Sequence, residues 1–406
     1  MAKIKVLMLA PEPFFEPRGT PISVYQRLKA LSSLGYSVDL LTYHIGADIV
    51  IPNIQIIRIP KIPFIKVVKI GPSWAKPILD LFLLLYAIIL LLKNDYDVIH
   101  SHEEASFFAL MLARLFRTDH LYDMHSSLPQ QLENFKFGNW PFLIRIFEFL
   151  ESWVLKTCDA VITIDHDLAE RVRRIHPDVR HLVIDNLPIH IGSLTLPSHD
   201  LRQNCEPLEV DGRSLIVYTG TFEAYQGLKL LLESIPIVKQ TCPQAFFVLV
   251  GGQPTQIEQL QKLVRKYQLE EDVCFIGIVP PEEAMNYLDI ADILVSPRIG
   301  GTSVPLKIYS YLHSGKPIVA TRLPAHMQVL DSSMAFLVEP TQEALAKGII
   351  CLLNNPELGQ CLGVKARQIA QEHYSMDGYI AKIAQIYRWL EPVTESNKGQ
   401  LGSLEL

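Results

Sequence analysis

Short apolar runs recur along the chain, each closed by a polar or glycine-bearing turn and followed by a stretch of helical spacing. In the first half they read as strands at Ile4–Ala10, Ser37–Thr42, Tyr96–Ser101, His120–Met124, Ala160–Ile164 and His181–Ile184, with helices from about Ile22 to Leu34 and through about Phe116. Runs that stay apolar without alternating are the signature of parallel strands covered on both faces. Periodicity fades between about Pro188 and Arg213, where Pro, Ser, Asn and acidic residues gather. A second series then begins, with strands at Ser214–Thr219, Ala245–Val250, Val273–Ile276 and Ile290–Val295. Helices are expected at Leu228–Lys239, Gln256–Tyr267, Thr341–Asn354 and Leu358–His373. From Asp377 to about Leu390, Ile380, Ile383, Ile386, Tyr387 and Leu390 repeat at helical spacing. The pattern predicts an α/β protein of two Rossmann-like domains, 1–190 and 213–375, with a linker at 191–212, a terminal helix at 376–392 and a disordered tail at 393–406.

Composition narrows the class. A chain of 406 residues is long enough for two cores. Its net charge of −6 gives no global basic field for a nucleic acid. The six cysteines, Cys158, Cys205, Cys242, Cys274, Cys351 and Cys361, show no CxxC pairing, so neither a zinc site nor a disulfide framework is expected. The opening MAKIKVLMLAPEP has an apolar part too short for a secretory core and is stopped by Pro11 and Pro13, which makes it a first strand and the expected location cytoplasmic.

Chemistry concentrates where strands end. Ser296–Thr321 runs strand, Pro297, the Gly300-Gly301 pair, helix, then Ser314-Gly315-Lys316-Pro317 into another strand. Glycines there let the backbone approach a ligand, and a helix N-terminus favours an anion. Glu16-Pro17-Arg18-Gly19-Thr20-Pro21 places a second glycine loop after the first strand, and Tyr218-Thr219-Gly220-Thr221-Phe222 with Gln226-Gly227 a third. In Tyr122-Asp123-Met124-His125-Ser126, a strand delivers His125 to the carboxyl edge of its sheet, with His100, His102, Glu103 and Glu104 closing the adjacent strand. The histidine pair reads as mainly architectural.

The loop order and the SGKP-IVAT ending resemble the nucleotide-sugar site of family 4 glycosyltransferases, and the likeness covers nearly the whole chain. It implies the GT-B fold, with two Rossmann-like domains facing a central cleft and the C-terminal helix crossing back to the first domain. It implies a retaining transfer of a hexose from a nucleoside diphosphate sugar to a lipid-linked or glycan acceptor, without metal or cofactor. By that resemblance His125 lies beside the transferred sugar, oriented by Asp123. Gly19, Thr20, Gly220, Thr221, Gln226, Gly227, Arg298, Gly301, Thr302, Ser303, Lys307 and Ser310 would line the donor. The chain departs from the family where Glu-x7-Glu is usual, carrying Thr302 and Ser310. It departs again where an Arg and a Lys neutralise the diphosphate, carrying Thr221 and Gln226. Arg298 and Lys307 are the nearest replacements. A weakened binding protein, a partner subunit, and an epimerase or hydrolase are the alternatives. Finally, Arg58, Lys61, Lys66, Lys69 and Lys76, interleaved with Phe64, Val67, Val68 and Trp74 before the leucine-rich 77–92, suggest a surface lying on an anionic inner leaflet. That leucine-rich run is expected to be too short, and too acidic at Asp80, to cross a membrane.

Overall fold

The computed structural model describes residues 4–16, 19–68, 73, 75–129, 141–188, 212–301 and 303–391. Thr302, Lys69, Trp74, Pro17, Arg18, the linker up to 211 and the tail beyond 391 lie outside the described residues. The chain divides into two compact units, one of 1–16, 20–185 and 377–406, the other of 17–19 and 186–376.

The first unit is built on seven strands: β1 (Lys5–Ala10), β2 (Ser37–Thr42), β3 (Ile54–Arg58), β4 (Val98–His102), β5 (Asp119–Met124), β6 (Ala160–Thr163) and β7 (Arg180–Val183). All pairs are parallel and the order is β3-β2-β1-β4-β5-β6-β7, so the direction of winding reverses between β1 and β4. Its helices are α1 (Gly19–Leu34), α2 (Ala75–Lys93), α3 (Ala105–Phe116), α4 (Pro141–Leu155) and α5 (His166–Ile175). Leu7, Leu9, Leu41, Leu79, Leu83, Ala109 and Leu112 share one core cluster. Each buried leucine contributes about 2 kcal/mol of transfer energy.

The second unit carries β8 (Ser214–Thr219), β9 (Ala245–Val250), β10 (Val273–Gly277), β11 (Ile293–Ser296), β12 (Ile318–Thr321) and β13 (Phe336–Val338). The order is β10-β9-β8-β11-β12-β13, again parallel, with its reversal between β8 and β11. The helices are α6 (Leu228–Thr241), α7 (Pro254–Lys266), α8 (Pro281–Asp289), α9 (Leu306–Ser314), α10 (Pro324–Met327), α11 (Gln342–Asn354) and α12 (Pro356–His373). A last helix, α13 (Met376–Arg388), belongs to the first unit and buries Tyr379, Ile383, Ile386 and Tyr387. Two such doubly wound units make the GT-B class of fold, each with its ligand-receiving edge at the carboxyl ends of the strands beside the reversal.

Two details correct the sequence reading. Gly19 and Thr20 open α1 instead of sitting in a free loop, and a Cβ on Gly19 would meet nothing within 4 Å. No close approach inside the protein therefore demands a glycine there. The leucine-rich segment forms a 19-residue helix with mean hydropathy 2.2, long and apolar enough to cross a membrane by length and composition. Its stripe of Leu79, Leu83, Ala87 and Leu91 nevertheless packs into the core of the first unit.

Candidate functional site

The edge of the second unit brings together the loops that leave β8 and β11. Gly220 (φ +137°) and Gly227 (φ +76°) hold backbone conformations that side chains rarely adopt. A Cβ on Gly227 would come within 1.9 Å of the Pro297 carbonyl, so the two loops touch only because that residue is glycine. The contact is sealed where Ile299 N–H donates to the Tyr225 carbonyl at 2.9 Å. Lys307, in the first turn of α9, is buried, and its ammonium donates to Gln226 Oε1 at 3.2 Å and stands 3.8 Å from the centre of the Tyr218 ring. Arg298 turns back on its own loop, donating to the carbonyls of Gly300 and Ser303 at 2.5 and 2.9 Å, with Tyr225 beneath its guanidinium. That fold-back needs Gly301 (φ +90°), where a Cβ would meet Arg298 Nη2 at 2.1 Å.

Among the described residues no carboxylate lies within ion-pair distance of either cation. Burial and the charge of Arg298 push the Lys307 ammonium well below its ordinary pKa, and burial lowers Arg298 as well. Nearby, burial together with Lys307 and Arg298 lowers His326 to about 4, although its Nδ1–H donates to the Thr321 carbonyl. Lys307 is thus one of two sequestered positive charges whose partners among the described residues are neutral. Ser310 is buried on α9, Thr221 supplies a carbonyl to the Tyr218 hydroxyl at 2.7 Å, and Ser303 supplies the Arg298 acceptor.

In the first unit the edge is compensated. Asp123, at zero exposure, accepts from Arg27 Nε at 2.8 Å and from His100 Nε2 at 3.3 Å. His125 Nε2 lies 3.4 Å from its other oxygen. Arg27 also donates to the Tyr379 hydroxyl, and Tyr387 meets His100 Nδ1 at 2.8 Å. Burial works against the Asp123 charge, but Arg27 and the histidines override it and hold the carboxyl well below its usual range. Burial lowers His125 to about 4 and His102 well below its ordinary value, so both are neutral at physiological pH. His125 Nε2 and His102 Nδ1 are 3.0 Å apart. His100, His102 and Asp123 bring ligand atoms within 4.8 Å of one another. With the guanidinium already on Asp123, a metal cation there would meet a like charge and a spent carboxylate.

Sequence reasoning missed Arg27. Its signal was available: Val24, Leu28 and Leu31 place the buried face of α1, and Arg27 lies on that face. Beside the histidines, Glu103 adopts φ +47° and accepts from the Ser126 hydroxyl at 2.8 Å. Burial and Glu104 raise its carboxyl to about 7.

Comparison with known proteins fits this geometry. The family model "Glycosyltransferase Family 4" matches residues 17–186, and "Glycosyl transferases group 1" matches 203–369. The chain belongs to this glycosyltransferase family. It is 25% identical over 242 residues to a phosphatidyl-myo-inositol mannosyltransferase of Propionibacterium freudenreichii, covering 59% of this chain and 55% of the relative. A GDP-mannose-dependent alpha-(1-6)-phosphatidylinositol monomannoside mannosyltransferase of Mycolicibacterium smegmatis is 26% identical over 43% of this chain and 47% of its own. The chain therefore spans about half the length of these curated relatives. Among solved structures, sucrose-phosphate synthase from Thermosynechococcus elongatus superposes with a TM-score of 0.77 at 21% identity, covering 96% of this chain and 99% of that one.

Proposed function

We propose that this protein is a retaining hexosyltransferase that uses a nucleoside diphosphate sugar and glycosylates a lipid-linked acceptor at the cytoplasmic face of a membrane. The observation that carries the reading is the pair of buried cations, Arg298 and Lys307, without an anionic partner among the described residues. Sequestered charge is costly unless something opposite arrives. A diphosphate supplies two to three negative charges at the edge where a doubly wound sheet receives its ligand. Arg298 and Lys307 would take the place of the family's missing Arg and Lys, stabilising the leaving diphosphate, while Gly227 and Gly301 let the loops that carry them fold closely together. Thr302 and Ser310, standing where the family has glutamates, would contact the donor through neutral hydrogen bonds. No protein nucleophile is assigned: in a retaining transfer of this kind the leaving phosphate assists the incoming hydroxyl, and the protein supplies position and charge.

The names of the relatives favour GDP-mannose as donor and a phosphatidylinositol-type lipid as acceptor. The assay is transfer from GDP-mannose to phosphatidylinositol vesicles, run beside UDP-glucose. Mannosyl lipid formed by the parent supports the reading, whereas tight diphosphate binding without transfer to any lipid extract would favour a binding protein.

The membrane part rests on α2. Its core-facing stripe leaves Ile78, Leu81, Leu85, Ile89 and Leu92 exposed, together with Phe64 and Val67. Lys76 does not contribute as the sequence suggested, since it pairs with Glu104 at 2.7 Å; Arg58 is held by Asp48 and three carbonyls. Contact would therefore be mainly apolar, assisted by Lys61 and Lys66. Replacing Leu81 and Leu85 by Asn should release the protein from vesicles containing anionic lipid in a flotation assay; unchanged flotation would remove α2 from the membrane surface.

A further inference from the structure

His102 was read from sequence as architectural, yet its surroundings give it a directional task. The Asp123 carboxylate can only accept hydrogen bonds. His100 Nε2, bonded to it at 3.3 Å, therefore carries a proton, and His100 Nδ1 accepts from the Tyr387 hydroxyl. Between His125 Nε2 and His102 Nδ1, 3.0 Å apart, there is room for one proton. Asp123 decides its owner: it stands 3.4 Å from His125 Nε2 and 3.9 Å from His102 Nδ1. A lone pair on the nearer nitrogen would face the carboxylate, so the proton belongs to His125 and His102 Nδ1 accepts it. His102 then keeps its own proton on Nε2. That atom is buried and has no hydrogen-bond partner among the described residues, a cost sustained so that Nδ1 stays free to accept.

We propose that His102 is a positioning residue that, together with Asp123, fixes His125 in its Nε2–H tautomer, so that His125 meets a hydroxyl of the bound sugar or acceptor with the lone pair of Nδ1. The hydroxyl-bearing partner rests on the glycosyltransferase reading; the tautomer does not. His125 is on this account a hydrogen-bond acceptor toward its ligand and not a proton donor. The ring of His102 lies 5.1 Å from that of His125 and stacks on His100 at 4.8 Å, which holds it in place for this role.

Nitrogen-15 NMR of the full chain labelled at histidine tests it, with His125 assigned from the spectrum of His125→Gln. The parent should show His125 protonated at Nε2 and bare at Nδ1, with a scalar coupling across the hydrogen bond to His102 Nδ1. A His125 protonated at Nδ1, or a proton found on His102 Nδ1, overturns the proposal without recourse to any further variant. In His102→Phe the His125 signal should move toward a mixture of tautomers, and His102→Asn, whose Oδ1 can replace Nδ1 as acceptor, should restore it. An unchanged His125 in a folded His102→Phe variant would show that Asp123 suffices alone and overturn the role given to His102. In the transfer assay, His102→Phe should lower kcat about tenfold with the donor KM unchanged. Should the parent transfer nothing, the functional reading fails while the NMR result still decides the tautomer.

Discussion

The carboxyl edges of the two sheets solve the problem of buried charge in opposite ways. At the first, Asp123 and Arg27 are both at zero exposure and each is answered, by one another and by His100 and Tyr379. At the second, Lys307 and Arg298 are sequestered, and among the described residues an amide, carbonyls and aromatic faces surround them. Compensated charge rigidifies a site in advance, whereas uncompensated charge stores a preference for an anion that has yet to arrive. On the proposed reading, the first edge holds its shape and the second receives the diphosphate.

Breaking the compensated edge should have the largest effect. Asp123→Asn strands the Arg27 guanidinium in the core, and the expected loss is about 3–5 kcal/mol of unfolding free energy, read from urea denaturation. The matching change at the second edge, Lys307→Met, should leave stability unchanged or raise it, because an uncompensated buried charge is removed. Equal destabilisation by the two would erase the distinction.

An intermediate effect is expected on binding. Lys307→Ala should weaken GDP binding by about 1.5–3 kcal/mol and guanosine binding far less, measured by calorimetry. Parental affinity for GDP in both Lys307→Ala and Arg298→Ala would mean the two cations serve the loop and not the diphosphate.

The smallest and sharpest effect is on protons. Lys307 has a pKa depressed in the free protein, and a bound diphosphate would raise it again. Binding should then take up protons above the depressed pKa, so GDP affinity falls as pH rises through that region and is flat below it. Calorimetry in buffers of different ionisation enthalpy reads the uptake directly. A pH-independent affinity once the ligand phosphate is fully ionised, in the absence of any proton uptake, would show that Lys307 stays charged with or without the ligand.

Much of this architecture was legible because buried parallel strands write continuous apolar runs. Ser37–Thr42, Ser214–Thr219 and Ala245–Val250 fall where the runs place them. β3 was not read, since it is a half-buried edge strand whose residues carry no such run. Glycine and histidine positions at strand ends announced both edges. Their electrostatics did not appear in any local pattern: Arg27 reaches Asp123 across 96 positions and Tyr379 across 352. Nor could sequence say that Arg298 folds back on its loop, which depends on the missing Cβ of Gly301.

Two contacts set a timetable for the molecule. His100 is held by Tyr387, and Arg27 by Tyr379, both from the last helix. Chains emerging from the ribosome fold their early domains first. The seven-stranded sheet can assemble when β7 has been made, but its histidine centre lacks two hydroxyls until nearly four hundred residues have followed the first. A newly made chain thus carries a formed scaffold with an unfinished centre until α13 has emerged.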